Sequence, residues 1–113
     1  FFAHEIRKNP NWIDQVINKL SDYVYLTIDL DGFDPSIVPG TGTPLPGGLS
    51  WYDVNDLLEQ LFTRKKVVAF DVVELCPQPD DKTSDVLAAV LVYRIISWME
   101  KVRTADGRLR SAD

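Results

Sequence analysis

An α/β fold on a parallel sheet is predicted from three features of the sequence. Strand-like and helix-like segments alternate in the order β-α-β-α-β-α. The strand segments are apolar on both faces, as in a parallel sheet covered by helices. Acidic residues gather where those segments end, at the edge where open parallel sheets bind ligands. The 113 residues make one compact domain or part of a larger one. The chain opens on Phe1 rather than Met, and three strands would leave two apolar edges unpaired, so the expectation is a portion of a longer protein with a wider sheet.

Phe1 to Ile6 is short, apolar and aromatic, and reads as the end of a first strand. Asn9-Pro10 reads as the start of a helix, with Asn9 as N-cap and Pro10 in the first helical position. Ile13, Val16, Ile17 and Leu20 follow at helical spacing, to about Lys19. Tyr23 to Asp29 is β-branched and aromatic, hence a strand. Asp31 to Leu49 holds four prolines and five glycines without apolar period, which predicts a long irregular loop of functional type. Ser50 with Asp53 three residues on forms a capping box for a second helix, whose stripe is Trp51, Val54, Leu57, Leu58, Leu61 and Phe62. Lys66 to Val73 is a further strand ending at Glu74. A third helix from Thr83 or Ser84 to about Lys101 is apolar on nearly all sides, which suits a larger core or a subunit contact. The catalytic-domain portion is set at residues 1–103, with residues 104–113 a polar, frayed tail.

Composition narrows the function classes. Twelve basic against seventeen acidic residues give a formal charge of −5, contrary to the basic face of a nucleic-acid binder or the polybasic run of a membrane anchor. The most apolar stretch, Val86 to Met99, is interrupted by Arg94 and too short to span a bilayer. One cysteine, Cys76, excludes an internal disulfide and fits a reducing, cytoplasmic compartment.

The chemistry concentrates at the strand ends. Asp29 and Asp31 lie two residues apart, so strand geometry would aim both carboxylates to one side. Paired like charges call for a cation, and oxygen ligands suit Mg²⁺ or Mn²⁺. A second possibility is that both acids merely cap the turn that Asp34-Pro35 begins. Glu74 ends the next strand at the same edge. Cys76 reads as a spectator thiol, and His4, the single histidine, as a surface or packing residue. Gly40 to Gly48 lacks the Gly-Lys-Ser/Thr ending of a phosphate loop, so its glycines serve sharp turns. Trp12, Trp51 and Trp98 read as helix-face packing residues.

The run from Thr27-Ile28-Asp29-Leu30-Asp31-Gly32-Phe33-Asp34-Pro35 through Pro39-Gly40-Thr41-Gly42-Thr43-Pro44 to Gly47-Gly48-Leu49 closely resembles the signature of the ureohydrolases, the arginase and agmatinase family. Phe70 to Pro77 resembles that family's next strand, and Ser84 to Ala89 its final helix. The resemblance spans Tyr23 to Trp98, and Phe33 departs from the smaller aliphatic residue usual there. It implies the C-terminal part of an agmatinase-like enzyme with a three-layer α/β/α arginase-type fold. It also implies two Mn²⁺ ions sharing a hydroxide that attacks the guanidinium carbon, releasing urea and an amine. By matching position, Asp29 would bridge both ions and Asp31 would bind one, Glu74 would hold the guanidinium, and Thr43 would line the site. The family's remaining ligands, a histidine and an Asp-x-His-x-x-x-Asp cluster, are missing from this sequence, and His4 matches neither. The chain alone is therefore expected to be inactive and to hold Mn²⁺ poorly. The wording of the loop favours agmatine, giving urea and putrescine within polyamine biosynthesis, with other linear amidines open. Trimers or hexamers are implied for the complete protein. Two alternatives compete: a non-catalytic, degenerate paralogue, and a haloacid-dehalogenase-type phosphatase with Asp29 as nucleophile and Asp31 as acid/base on Mg²⁺. The proline-glycine loop argues against the second.

Overall fold

The computed structural model describes residues 1–110, with side chains through Ala105. Along the chain come α1 (Ala3–Ile6), α2 (Trp12–Lys19), β1 (Tyr23–Asp29), a 3₁₀ turn (Leu30–Gly32), α3 (Trp51–Arg64), β2 (Lys66–Val73) and α4 (Thr83–Arg110). β1 and β2 pair in parallel from Tyr23 opposite Lys66 to Asp29 opposite Val73, with one irregularity after Val24 that passes over Val68. Both strands and the start of α3 fall where the sequence predicts them. Ser50 Oγ accepts the Asp53 N–H at 3.1 Å while Asp53 returns a bond to the Ser50 N–H at 2.9 Å, closing the capping box.

Four expectations are corrected. Phe1 to Ile6 is not a strand end: with no neighbouring strand among the described residues, the N–H groups of Glu5 and Ile6 close on the Phe2 carbonyl and make one helical turn. The described sheet thus has two strands rather than three. Asn9 and Pro10 do not start α2. The Asn9 side chain takes the Asn11 N–H at 3.1 Å in a local turn, and the helix begins only at Trp12. α4 continues nine residues beyond Lys101 to Arg110, and residues 111–113 of the expected tail lie outside the described residues.

The fourth correction concerns burial. β1 alternates strictly, with Val24, Leu26 and Ile28 half-buried and Tyr23, Tyr25, Thr27 and Asp29 exposed. Helices cover one face of the sheet only. On that face Val24, Leu26, Ile28, Val67, Phe70 and Val72 pack against a core of Ile17, Leu30, Val38, Leu58, Leu91 and Ile95. Trp98 stacks on Phe62 with ring centroids 5.6 Å apart, and Trp12 is buried, in line with packing roles. The expectation of two covered faces fails because no described element reaches the second. α4 behaves similarly: Ala88, Leu91 and Ile95 are buried, whereas Val86, Val90, Tyr93 and Ile96 face outward. No helix of the described residues is long and apolar enough to cross a membrane.

Candidate metal and guanidinium site

Parallel pairing puts the carboxyl ends of β1 and β2 side by side, and the irregular loop 33–50 folds over that edge. The loop is pinned at its base. Asp34 N–H donates to the Leu49 carbonyl at 3.0 Å and Leu49 N–H to the Gly32 carbonyl at 2.9 Å. The backbones approach so closely that a Cβ on Gly48 would stand 2.4 Å from the Phe33 carbonyl carbon, a position only glycine can fill. Asp34 ties the two ends together, accepting the Ser36 N–H at 3.0 Å and the Gly47 N–H at 2.9 Å. Bonds from the Ser36 hydroxyl and N–H, then from the Gly47 N–H, bring its pKa down to about 2.

The middle of the loop is pinned to the other strand end. Gly40 N–H donates to the buried Ser84 hydroxyl at 2.8 Å, and Cys76 N–H donates to the Gly40 carbonyl at 2.8 Å. A side chain at Gly40 would meet both partners at 2.9 Å. The exit of β2, the first turn of α4 and the proline-glycine loop therefore form one knot.

The acids come together by a different route from the one strand geometry predicts. The chain leaves the pleat at Asp29 and enters the 3₁₀ turn, so the alternation that would align Asp29 with Asp31 does not reach Asp31. Instead Asp29 Oδ1 caps the turn by accepting the Asp31 N–H at 2.9 Å. Asp31 Oδ2 accepts a hydrogen bond from the Thr43 hydroxyl, while its Oδ1 is buried with no partner. Neither acid is in an ion pair with a described residue. Capping, which competed with ligation as a reading of Asp29, thus occupies one of its oxygens and leaves the other free.

Glu74 directly follows β2, beyond Val73, which is the register partner of Asp29. Its φ of 67° is left-handed, a conformation that costs a non-glycine residue about 1–2 kcal/mol. Strain of this sort clusters at ligand-contacting positions. The structure thus links Asp29, Asp31 and Thr43 by hydrogen bonds and sets Glu74 on the neighbouring strand end. His4 is elsewhere, on α1, its ring stacked on Phe2 with centroids 5.8 Å apart. Cys76 is exposed, with its sulfur beside the Gln78 amide at 3.8 Å. Sequence reasoning missed Asp71, whose carboxylate accepts Thr27 Oγ1 at 2.6 Å and the Tyr25 hydroxyl. Those two bonds, Thr27 first, hold its pKa below the usual carboxylate range, and the same contact raises that of Tyr25. The signal was one charge inside an otherwise apolar strand. Ser84 gave no such signal.

The model of the arginase family matches residues 1–97. The chain belongs to the arginase family. It is 43% identical over 105 residues to the N(1)-aminopropylagmatine ureohydrolase of Synechocystis sp., a match covering 91% of this chain and 34% of that protein. The agmatinase of Pyrococcus horikoshii is 41% identical over 81 residues, covering 72% of this chain and 29% of its own. Among solved structures, the agmatine ureohydrolase of Thermoplasma volcanium superposes with a TM-score of 0.77 at 37% identity, covering 91% of this chain and 35% of that one. The chain spans about a third of the length of these relatives, and its α/β parallel architecture is a partial arginase-type fold.

Metal fit follows from the acids themselves. A buried carboxylate oxygen without a donor is costly, and Asp31 Oδ1 is in that position beside an acid that keeps one oxygen free. Hard oxygen donors of this kind suit Mn²⁺ or Mg²⁺. No group of three or more His, Cys, Asp or Glu side chains able to hold a metal is found among the described residues, so these acids are a partial set.

Proposed function

We propose that this chain forms one wall of a ureohydrolase site that hydrolyses a guanidino compound to urea and an amine. The observation that carries the reading is the orphaned, buried Asp31 Oδ1 at the carboxyl edge of the sheet. Asp29 and Asp31 would hold two divalent ions, taken as Mn²⁺, together with ligands from outside this chain. Such ions lower the pKa of bound water enough to supply a nucleophile at neutral pH.

The chain's own residues would do the rest. Glu74 accepts the N–H donors of the planar guanidinium, for which a carboxylate is the matching partner. Its left-handed backbone turns the chain off the strand beside Asp29, so the cation is received next to the acids. Thr43 spends its one hydroxyl proton on Asp31, which leaves its oxygen lone pairs to accept a substrate N–H. The Gly40–Ser84–Cys76 knot fixes the distance between the Thr43 loop and the Glu74 strand end. In the balanced reaction the oxygen of water adds to the guanidinium carbon, the bond from that carbon to the nitrogen bearing the alkyl chain breaks, and that nitrogen leaves as an ammonium carrying both protons of the water, with urea as the other product.

Agmatine and its N(1)-aminopropyl derivative are the proposed substrates, the second because relatives at 43–45% identity carry that name. The acidity and single cysteine of this chain fit a cytoplasmic enzyme of polyamine synthesis that makes a basic amine from a cationic substrate. A homo-oligomer is proposed for the complete enzyme. The test is urea release by the complete polypeptide with Mn²⁺ and, in turn, agmatine, N(1)-aminopropylagmatine and arginine. Turnover of either agmatine compound above arginine is expected; urea from none of them overturns the reading. The 113-residue chain alone should release no urea.

A further inference from the structure

The open face of the sheet carries one organised polar group, and its place is informative. After the irregularity at Val68, the register sets Thr27 opposite Asp71 and Asp29 opposite Val73. Tyr25, Thr27 and Asp29 share the exposed face of β1. Asp71 binds both hydroxyls on that face, Thr27 Oγ1 at 2.6 Å on one oxygen and the Tyr25 hydroxyl on the other. The clamp lies one pleat, about 7 Å, below the capping acid.

We propose that Asp71 is a positioning residue for the metal-binding tip, acting through Thr27 and Tyr25 on the last two pleats of β1. Aspartate is disfavoured within strands, and here it interrupts Val67 to Val73, so strand formation does not explain it. A stiff β-branched side chain fixed at its hydroxyl leaves Thr27 one orientation, and Asp29 is the second residue after it. Asp29 must hold the 3₁₀ turn with one oxygen and keep the other aimed at a cation, a geometry that tolerates little play. Asp71 also sets a further negative charge beneath Asp29 and Asp31, which favours cation occupancy. Loss of a group bonded directly to a metal ligand costs about 10–100-fold in metal affinity, and Asp71 acts one step further out, through Thr27, so the lower end of that range applies.

The inference rests on the ureohydrolase reading for the identity of the bound group, and the experiment separates the two. In the complete enzyme, Mn²⁺ affinity of Thr27→Val, Thr27→Ser and Asp71→Asn is measured by metal titration, alongside thermal melting and urea release. Thr27→Val, nearly isosteric, should weaken Mn²⁺ binding about 10-fold while the protein stays folded, Thr27→Ser should restore it, and Asp71→Asn should be weaker still. Wild-type Mn²⁺ affinity in a folded Thr27→Val variant overturns the proposal, even if its melting temperature falls, because the clamp would then only stiffen the sheet. If Asp71→Asn fails to fold, the valine–serine pair decides. A wild type that binds Mn²⁺ but releases no urea overturns the proposed reaction and leaves Asp71 in its role. A wild type that takes up no Mn²⁺ overturns both.

Discussion

The two faces of the β1–β2 sheet are made from the same strands and do different things. One face is Val24, Leu26, Ile28, Val67, Phe70 and Val72, half-buried and packed against the core that α2, α3 and α4 supply. The other is Tyr23, Tyr25, Thr27 and Asp71, exposed or half-buried, with Tyr25 and Thr27 joined to Asp71 through hydroxyl–carboxylate bonds. The sealed face converts removal from water into stability, at about 25 cal/mol per Å² of apolar surface. The open face converts hydrogen-bond geometry into the aim of the side chains at its upper edge. A strand that would be uniformly apolar in a purely structural sheet is thereby divided between holding the fold and setting up a site.

The strongest way to break that division is to damage the sealed side. Leu91 on α4 has no exposed surface, and Leu91→Ala should cost about 2–5 kcal/mol in denaturant unfolding. Tyr93, two residues on and 72% exposed, is the control, and Tyr93→Ala should stay within about 0.5 kcal/mol wherever α4 keeps its outer side in solvent. Equal losses from both would mean that the outer side of α4 is packed in the complete protein, and that α4 stabilises the fold from two sides rather than one.

A smaller effect tests the junction between stability and site. Ser84→Ala strands the buried Gly40 N–H, for a loss of about 1–3 kcal/mol. Because Gly40 is tied to Cys76 and sits three residues before Thr43, KM for agmatine should rise more than kcat falls. A drop in kcat alone would detach the knot from substrate binding. Smaller again is Ser50→Ala, which removes the α3 capping box on the sealed side and should cost about 1 kcal/mol with no change in KM.

What the sequence disclosed follows the range of the forces involved. The residue preferences that mark strands Tyr23–Asp29 and Lys66–Val73, the Ser50 cap and the α3 stripe lie within a few residues of one another, and all were legible. The family signature was legible too, because Asp29 to Leu49 is one continuous stretch of sequence whose loop requires its own prolines and glycines. Phe1 to Ile6 misled because a strand needs a partner, and short apolar runs do not reveal whether one is present. Asn9 misled because Asn side chains form turns as readily as caps. The pairing of Asp29 and Asp31 was legible as a fact and not as a geometry, since the pleat stops at Asp29. Asp71 and Ser84 act across 44 to 46 residues of sequence, on partners that only the fold brings near.

The smallest expected effect is in the acid limb of stability. Asp34 titrates near 2 in the folded protein, against 3.8 for an unconstrained aspartate, because Ser36 and Gly47 donate to its ionised form. A folded-state pKa below the unfolded value means that the unfolded chain binds the proton first. Asp34 therefore contributes its full stabilisation above about pH 4 and loses it as pH falls through 4 toward 2. In Asp34→Asn that slope should vanish, so the wild-type and variant unfolding curves converge on acidification between those values. The variant keeps an acceptor for Ser36 and loses the carboxylate oxygen that holds Gly47, so its deficit should be greatest near neutral pH. Curves that run parallel from pH 7 to pH 2 would show that the loop base is held by the Asp34–Leu49 and Leu49–Gly32 backbone bonds alone, leaving the Asp34 carboxylate no part in carrying Thr43 to the acids.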